Sequence, residues 1–143
     1  MDKKVYYGAA LMLVGIFVID QNIKSLFLAG YRNYGECLSL VFALNKGVAF
    51  SMFAFLGEWL KWLQLILLGF IAFTFVRMGQ KFLLPLAIVV GAGLSNVYDR
   101  FVHGGVVDYV YWHCGFEFAI FNFADVMIDI GVIWMLILSF IKK

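Results

Sequence analysis

Apolar residues are gathered into four long runs along the chain, and most polar side chains fall between them. The runs cover about residues 5–25, 59–76, 82–98 and 119–141. A helix needs about 20 apolar residues to cross the hydrocarbon core of a bilayer, and each run is close to that length. The pattern predicts an all-α membrane protein in which four transmembrane helices form a single domain over residues 1–143.

The composition of the chain agrees with this prediction. Apolar residues make up 64% of the 143 and charged residues 14%, whereas soluble domains average about 45–50% and about 25%. These figures exclude a soluble enzyme, a disordered tail and a secreted disulfide scaffold. The net charge of +2 gives no indication of a nucleic-acid partner.

Basic residues near the ends of the runs are unevenly distributed. One set lies at the N-terminus, between the second and third runs, and at the C-terminus: Lys3, Lys4, Arg77, Lys81, Lys142 and Lys143. The connections on the other side, 26–58 and 99–118, contain only three basic residues. Because short basic segments stay in the cytoplasm, both termini are predicted to be cytoplasmic and these two loops extracytoplasmic.

The first extracytoplasmic loop is long and contains an alternating apolar run at 38–44. This run predicts a small extracytoplasmic β-sheet, formed from the first outer loop and lying on the membrane surface. Cys37 and Cys114 both fall in extracytoplasmic loops. They form either a disulfide or two free thiols, and a metal site with His113 is a third alternative.

The fourth run contains carboxylates that a membrane normally excludes. Asn122, Asp125 and Asp129 are spaced i, i+3 and i+7, so they lie within one arc of a helix. An aspartate at the centre of a span costs about 2.5–3.5 kcal/mol, which makes Asp125 a functional candidate. A helix starting near Ala119 would place it about 9 Å below the outer end. For Asp129 we favour a structural hydrogen bond to a neighbouring helix.

A second group of polar residues follows the third run. Asn96, Asp99 and Arg100 share a helix face at the outer mouth of the bundle. Asp99 and Arg100 form either an interfacial ion pair or part of a substrate-orienting site. Asp108 follows a Gly-Gly turn and lies in an apolar extended stretch, which we expect to return over the mouth towards Asp125.

Two adjacent carboxylates provide a defined chemistry. They share one proton at neutral pH, so one can deprotonate a water while the other protonates the substrate. Peptide hydrolysis by this route needs no nucleophilic side chain, and we expect neither a metal nor a cofactor.

Two further segments contain polar residues at notable positions. Asp20 and Lys24 are spaced i, i+4 at the end of the first run, where a local salt bridge is the simplest interpretation. Asn45 and Gly47 belong to the segment NKGVAFS (45–51), which on its own is equally typical of a turn.

The alternative function is a small membrane carrier or channel. In that case Asp20, Asp99, Asp125 and Asp129 would form a path for protons or cations. Carriers usually have pseudo-symmetric halves with broken helices. Here the polar residues crowd the outer edge of the spans, which favours chemistry at the outer surface.

Taken in order, these segments resemble the bacterial lipoprotein signal peptidase family (signal peptidase II, prolipoprotein signal peptidase). The resemblance covers nearly the whole chain. The matching segments are DQNIK (20–24), NKGVAFS (45–51), GAGLSNVYDR (91–100), GGVVDY (104–109) and FNFAD (121–125). Ala92, Ser95 and Val126 depart from the usual pattern, and Asp129 lies outside it.

The resemblance implies an aspartic endopeptidase that cleaves diacylglyceryl-modified prolipoproteins before the lipidated cysteine, with Asp108 and Asp125 as the catalytic pair. Its partners would be lipid-modified prolipoproteins and membrane lipid, and we expect a monomer in the bacterial inner membrane with the active site on the extracytoplasmic side. Residues expected to bind substrate or orient the pair are Asp20, Lys24, Asn45, Gly47, Asn96, Asp99, Arg100 and Asn122.

Overall fold

The computed structural model describes residues 2–48 and 52–141, so the part of the NKGVAFS prediction at 49–51 and the lysines at 142 and 143 lie outside the described residues. The helices are α1 (Lys3–Leu28), α2 (Trp59–Met78), α3 (Leu83–His103) and α4 (Phe123–Phe140), and the strands are β1 (Leu38–Asn45) and β2 (Val106–Trp112). Each of these four helices is long and apolar enough to cross a membrane, which confirms the prediction of four such helices.

Helix α3 is the centre of the bundle. It is mostly buried and packs against α1, α4 and α2, whereas those three helices expose most of their apolar side chains. Lipid tails are as apolar as side chains, so helices in a membrane associate through close packing of small residues. At Gly91 a Cβ atom would lie 2.5 Å from the Leu13 carbonyl oxygen of α1, and at Gly131 of α4 it would lie 2.6 Å from Cγ2 of Val89. Glycine at these positions allows α1 and α4 to approach α3.

The two strands form one antiparallel sheet at the end of the bundle where α3 ends and α4 begins. Ser39 lies opposite Tyr111 and Asn45 opposite Val106, with a bulge between these pairs. The sheet therefore does not form from the first loop alone, as the sequence predicted, because β1 needs the backbone groups of β2 as partners. A disulfide between Cys37 and Cys114 closes the far end of the sheet.

Helix α4 begins four residues later than predicted. Residues 119–121 are extended, since the Val110 N–H donates to the Phe121 carbonyl at 2.8 Å and the Phe121 N–H donates back to the Val110 carbonyl at 3.1 Å. Asn122 then caps the helix. Asp125 is therefore in the first turn of α4, about 3 Å along the axis from its first residue and not about 9 Å.

Candidate active site

A cavity of about 520 Å³ lies at the sheet end of the bundle, between α2, α3, α4 and the strands. The predicted site residues on its walls are Asn45, Asn96, Arg100, Asp108 and Asp125, and Asp129 lines it as well. The tertiary structure thus brings together residues from four different segments of the chain.

Asp108 lies in β2 with only 2% of its surface exposed. Its Oδ1 accepts a hydrogen bond from Asn122 Nδ2 at 2.8 Å, and its Oδ2 accepts one from Asn45 Nδ2 at 3.0 Å. Burial, followed by the negative charge of Asp125, raises the pKa of Asp108 to about 7. This carboxyl group is therefore near the midpoint of its titration at neutral pH.

Asp125 is held by the start of α4. Its Oδ2 accepts from the backbone N–H of Asn122 at 3.0 Å, and its own N–H donates to Asn122 Oδ1 at 2.9 Å. These reciprocal bonds form a capping box, which satisfies two N–H groups at the helix N-terminus. Asp125 Oδ1 accepts from Asn96 Nδ2 of α3 at 3.0 Å.

Asn122 is the residue that joins the two aspartates. Its side-chain nitrogen donates to Asp108, to Asn96 Oδ1 at 3.1 Å and to the Val107 carbonyl at 3.3 Å, while its backbone N–H donates to Asp125. Each of the four carboxylate oxygens of the pair accepts one amide hydrogen bond. The second lone pair of each oxygen remains for water or a proton.

Lys24 lies behind Asn96 and orients it. The Lys24 ammonium is fully buried, 2.7 Å from Asp20 and 2.7 Å from Asp99, and it donates to Asn96 Oδ1 at 2.8 Å. Because the Asn96 oxygen faces Lys24, its amide nitrogen faces Asp125. The expected i, i+4 ion pair between Asp20 and Lys24 is present, and Asp99 extends it.

Asp20 and Asp99 do not contact the aspartate pair, but each holds the backbone next to one of its members. Asp20 accepts from the N–H of Ala124 at 3.0 Å, and Asp99 accepts from the N–H of Val107 at 3.1 Å. They are therefore positioning residues in the structure. Both are fully buried.

Arg100 does not pair with Asp99, so the interpretation as an interfacial ion pair is wrong. Consecutive residues of a helix point about 100° apart, and Asp99 faces Lys24 while Arg100 faces the cavity. Arg100 Nε donates to Gln64 Oε1 of α2 at 2.7 Å, and its Nη atoms donate to the carbonyls of Asn45 and Gly47.

Gln64 is a site residue that sequence reasoning missed. The sequence contained an indication of this residue, because Gln64 is the only amide side chain in the apolar run at 59–76. The backbone of Gly47 contacts two of the predicted site residues, since its N–H donates to Asn45 Oδ1 at 2.9 Å and its carbonyl accepts from Arg100. The turn after β1 thus orients the Asn45 amide towards Asp108.

Asp129 lies one helical turn beyond Asp125 and is exposed. Within residues 2–48 and 52–141 its carboxylate makes no hydrogen bond or ion pair, so the expected bond to a neighbouring helix is absent from that part of the chain. The prediction that Asp129 and Asn122 lie within one arc of a helix is also wrong, because Asn122 precedes the first residue of α4.

Of the three alternatives for the cysteines, the structure shows the disulfide. Both sulfurs belong to the Cys37–Cys114 disulfide, and His113 contacts Ser39 Oγ at 2.9 Å. The described residues contain no group of three or more His, Cys, Asp or Glu side chains arranged to hold a metal ion.

A family model described as Signal peptidase (SPase) II matches residues 12–141. The chain belongs to the signal peptidase II family. Similar family members include the lipoprotein signal peptidase of Sulfurimonas denitrificans, 57% identical over 93% of this chain and 88% of that protein. The lipoprotein signal peptidase of Wolinella succinogenes is 57% identical over 92% of this chain and 92% of that protein. The one of Helicobacter pylori strain P12 is 48% identical over 93% of this chain and 89% of that protein.

Two solved structures, both described as bacterial membrane enzymes, share the fold of the present chain. The one at 1.9 Å resolution is 22% identical and has a TM-score of 0.78 over 94% of each chain. The one at 2.3 Å is 24% identical and has a TM-score of 0.75 over 92% of this chain and 86% of the other. The likeness concerns the fold alone.

Proposed function

We propose that this single-domain chain removes the signal peptide from lipid-modified prolipoproteins at the outer face of the bacterial inner membrane. Membership of the signal peptidase II family supports a peptidase, and the relatives' name, lipoprotein signal peptidase, supports this substrate class. The observation that carries the mechanism is the link through Asn122, which bonds Asp108 and Asp125 on the wall of one cavity.

The pair acts as an acid and a base on the bond before the lipidated cysteine. The ionised carboxylate takes a proton from a water, and the water oxygen attacks the scissile carbonyl carbon. The protonated carboxyl gives its proton to the carbonyl oxygen, so a neutral gem-diol forms. The C–N bond then breaks as a carboxyl protonates the leaving nitrogen and a carboxylate takes a proton from one hydroxyl. The products are a free signal peptide and a lipidated cysteine with a free amine.

Neighbouring residues support this chemistry without reacting. Asn45, Asn96 and Asn122 hold the carboxylates, and Lys24, Asp20 and Asp99 hold Asn96 and the adjacent backbone. Arg100 lies on the cavity wall with Gln64, where it orients the substrate backbone or lipid.

The position of the cavity suits a lipid-anchored substrate. The cavity lies at the sheet end of the bundle, and a lipid anchor keeps the scissile bond near the membrane surface. The other half of α3, residues 83–94, is apolar. A polar path across the membrane, which a carrier or channel requires, therefore does not follow this helix.

The test is cleavage of a synthetic diacylglyceryl prolipopeptide by the purified full-length protein. Asp108→Asn and Asp125→Asn each remove one proton-transferring group and are expected to lower kcat by at least about 100-fold, the smaller end of what general acid–base catalysis supplies. Glu36→Gln, an exposed carboxylate away from the cavity, is the matched control and keeps the wild-type rate.

A chelator is the companion test. EDTA leaves the rate unchanged, because two carboxylates perform every proton transfer. Cleavage that survives either aspartate substitution, or that stops with EDTA, contradicts the proposed pair.

A further inference from the structure

Among residues 2–48 and 52–141, Asp129 is the one acid on the cavity wall that the proposed chemistry does not use. It follows Asp125 by one turn on α4 and lines the same cavity. Its carboxylate is exposed and has no hydrogen-bonding partner within residues 2–48 and 52–141. Both neighbours of Asp129 in sequence, Ile128 and Ile130, are apolar.

An unpaired carboxylate in a spanning helix is costly for the protein. An aspartate at the centre of a span costs about 2.5–3.5 kcal/mol on insertion scales. Acidic residues retained in such helices face a cavity or the bundle interior and mark the path of a substrate or ion. The position of Asp129 on the cavity wall therefore indicates a partner that enters the cavity from outside this part of the chain.

The proposed substrate brings such a partner. A peptidase acts on an extended backbone, so the signal peptide must unwind beside the scissile bond. Unwinding removes the helical partners of its N–H groups, and each unsatisfied backbone group in the hydrocarbon region costs several kcal/mol. A carboxylate is a strong acceptor for these N–H groups.

The distance between Asp125 and Asp129 along α4 indicates which residue of the substrate lies beside Asp129. Four residues of helix place Asp129 about 6 Å from Asp125 along the axis, on the side away from the sheet. An extended chain advances about 3.3 Å per residue, so 6 Å corresponds to about two residues. The membrane-embedded part of a signal peptide precedes the scissile bond and so lies on this side of the pair.

We propose that Asp129 accepts a hydrogen bond from the main-chain N–H of the signal peptide about two residues before the scissile bond. This inference rests on the proposed function, because it requires the signal peptide to occupy the cavity. Asp129 thereby binds the substrate and takes no part in proton transfer.

The experiment removes one N–H at a time from the substrate. Synthetic diacylglyceryl prolipopeptides are made with a single ester oxygen in place of an amide N–H at the first, second or third residue before the scissile bond. Each is cleaved by wild-type, Asp129→Leu and Asp129→Asn protein, with Ser139→Ala on the same helix as the control. The readout is kcat/KM for each ester relative to the all-amide substrate.

A hydrogen bond to a charged acceptor is worth about 1.5–3 kcal/mol, or about 10- to 160-fold in rate. We expect the wild type and Ser139→Ala to lose at least about tenfold with the ester at the second residue. Asp129→Leu loses a similar factor on the all-amide substrate and no longer distinguishes ester from amide. Asp129→Asn keeps an acceptor oxygen and retains part of the discrimination.

Two results overturn the inference while the proposed function stands. In one, active Asp129→Leu protein distinguishes ester from amide as strongly as the wild type does. In the other, no ester position affects the wild type. If the wild type cleaves no lipidated substrate at all, the proposed function fails and this inference fails with it. Asp129→Leu removes a charge from a span, so we expect the variant to fold. A thermal unfolding scan of the purified variant checks this.

Discussion

At the scale of single residues, the pKa of the Asp108 carboxyl group is raised by some neighbours and lowered by others. Burial and the charge of Asp125 raise the pKa of Asp108, whereas hydrogen bonds from Asn45 and Asn122 and the charge of Lys24 lower it. The result is a pKa of about 7. The singly protonated pair therefore exists below about pH 7 and loses its remaining proton as the pH rises.

This titration predicts the alkaline side of the pH profile. The value of kcat/KM should fall above about pH 7, approaching a slope of about one log unit per pH unit. Asn45→Ala removes a hydrogen bond that stabilises ionised Asp108, so its pKa should rise and the alkaline limb should move up. Losing a bond of about 1.5 kcal/mol to a charged group corresponds to about one pH unit.

The measurement is the pH dependence of kcat/KM for the wild type, Asn45→Ala and the control Glu36→Gln. The control should reproduce the wild-type limb. An Asn45→Ala limb at or below the wild-type position would contradict the assignment of Asn45 as a donor to ionised Asp108.

Lys24 is the cation on which two buried carboxylates depend. Lys24→Met leaves Asp20 and Asp99 buried without a counter-charge, and breaking a buried ion pair on one side costs about 3–5 kcal/mol. We expect thermal unfolding of the purified protein to show a loss of this size. Lys61→Met, which breaks an exposed pair with Glu58, is the control and should cost at most about 1 kcal/mol. Equal losses for the two variants would argue against the buried cluster.

At the scale of elements, the start of α4 serves both the fold and the site. Asn122 caps the helix with its side-chain oxygen and bonds Asp108 with its side-chain nitrogen. The two functions are separable by substitution because different atoms perform them. Serine caps helices as well as asparagine does but has no amide nitrogen to reach Asp108.

Asn122→Ser should therefore keep the helix cap but lose the bonds that the amide nitrogen makes to Asp108, Asn96 and Val107. It should lower kcat by at least about tenfold, the value of one hydrogen bond of about 1.5 kcal/mol to a charged group. Asn122→Ala loses the cap as well and should be less stable than the serine variant by about 1 kcal/mol. Calorimetry and cleavage assays on the same preparations separate the two effects. A serine variant with wild-type activity would remove Asn122 from the site.

At the scale of the whole molecule, the basic residues predict the orientation in the membrane. The positive-inside rule predicts that the α2–α3 connection is cytoplasmic and that the sheet end lies outside. Phe55→Cys and Met78→Cys test this, since both side chains are exposed, Phe55 lies in the turn just before α2 and Met78 is the last residue of α2. The native cysteines are paired in a disulfide and do not compete for the label.

An impermeant maleimide should label Phe55→Cys in cells with a permeabilised outer membrane. It should label Met78→Cys only after the inner membrane is opened. Labelling of Met78→Cys before that step would invert the topology and place the cavity on the cytoplasmic side.

The sequence by itself determined the number of spans, because apolar length is a local property that the bilayer thickness imposes on each helix. It also identified Asp108 and Asp125 as candidates, since carboxylates in an apolar chain are costly wherever they lie. The predicted start of α4, near residue 119, was wrong, because a β-bridge between Phe121 and Val110 keeps residues 119–121 extended.

Only the tertiary structure decided which polar groups meet. Asp99 pairs with Lys24, 75 residues earlier, and not with its neighbour Arg100, and Arg100 pairs with Gln64, which no motif singled out. A buried charge takes whichever partner the packing of helices places within hydrogen-bonding distance, and that packing depends on close contacts such as those at Gly91 and Gly131. Local pattern therefore specifies the elements and the chemistry available, and long-range packing assigns the partners.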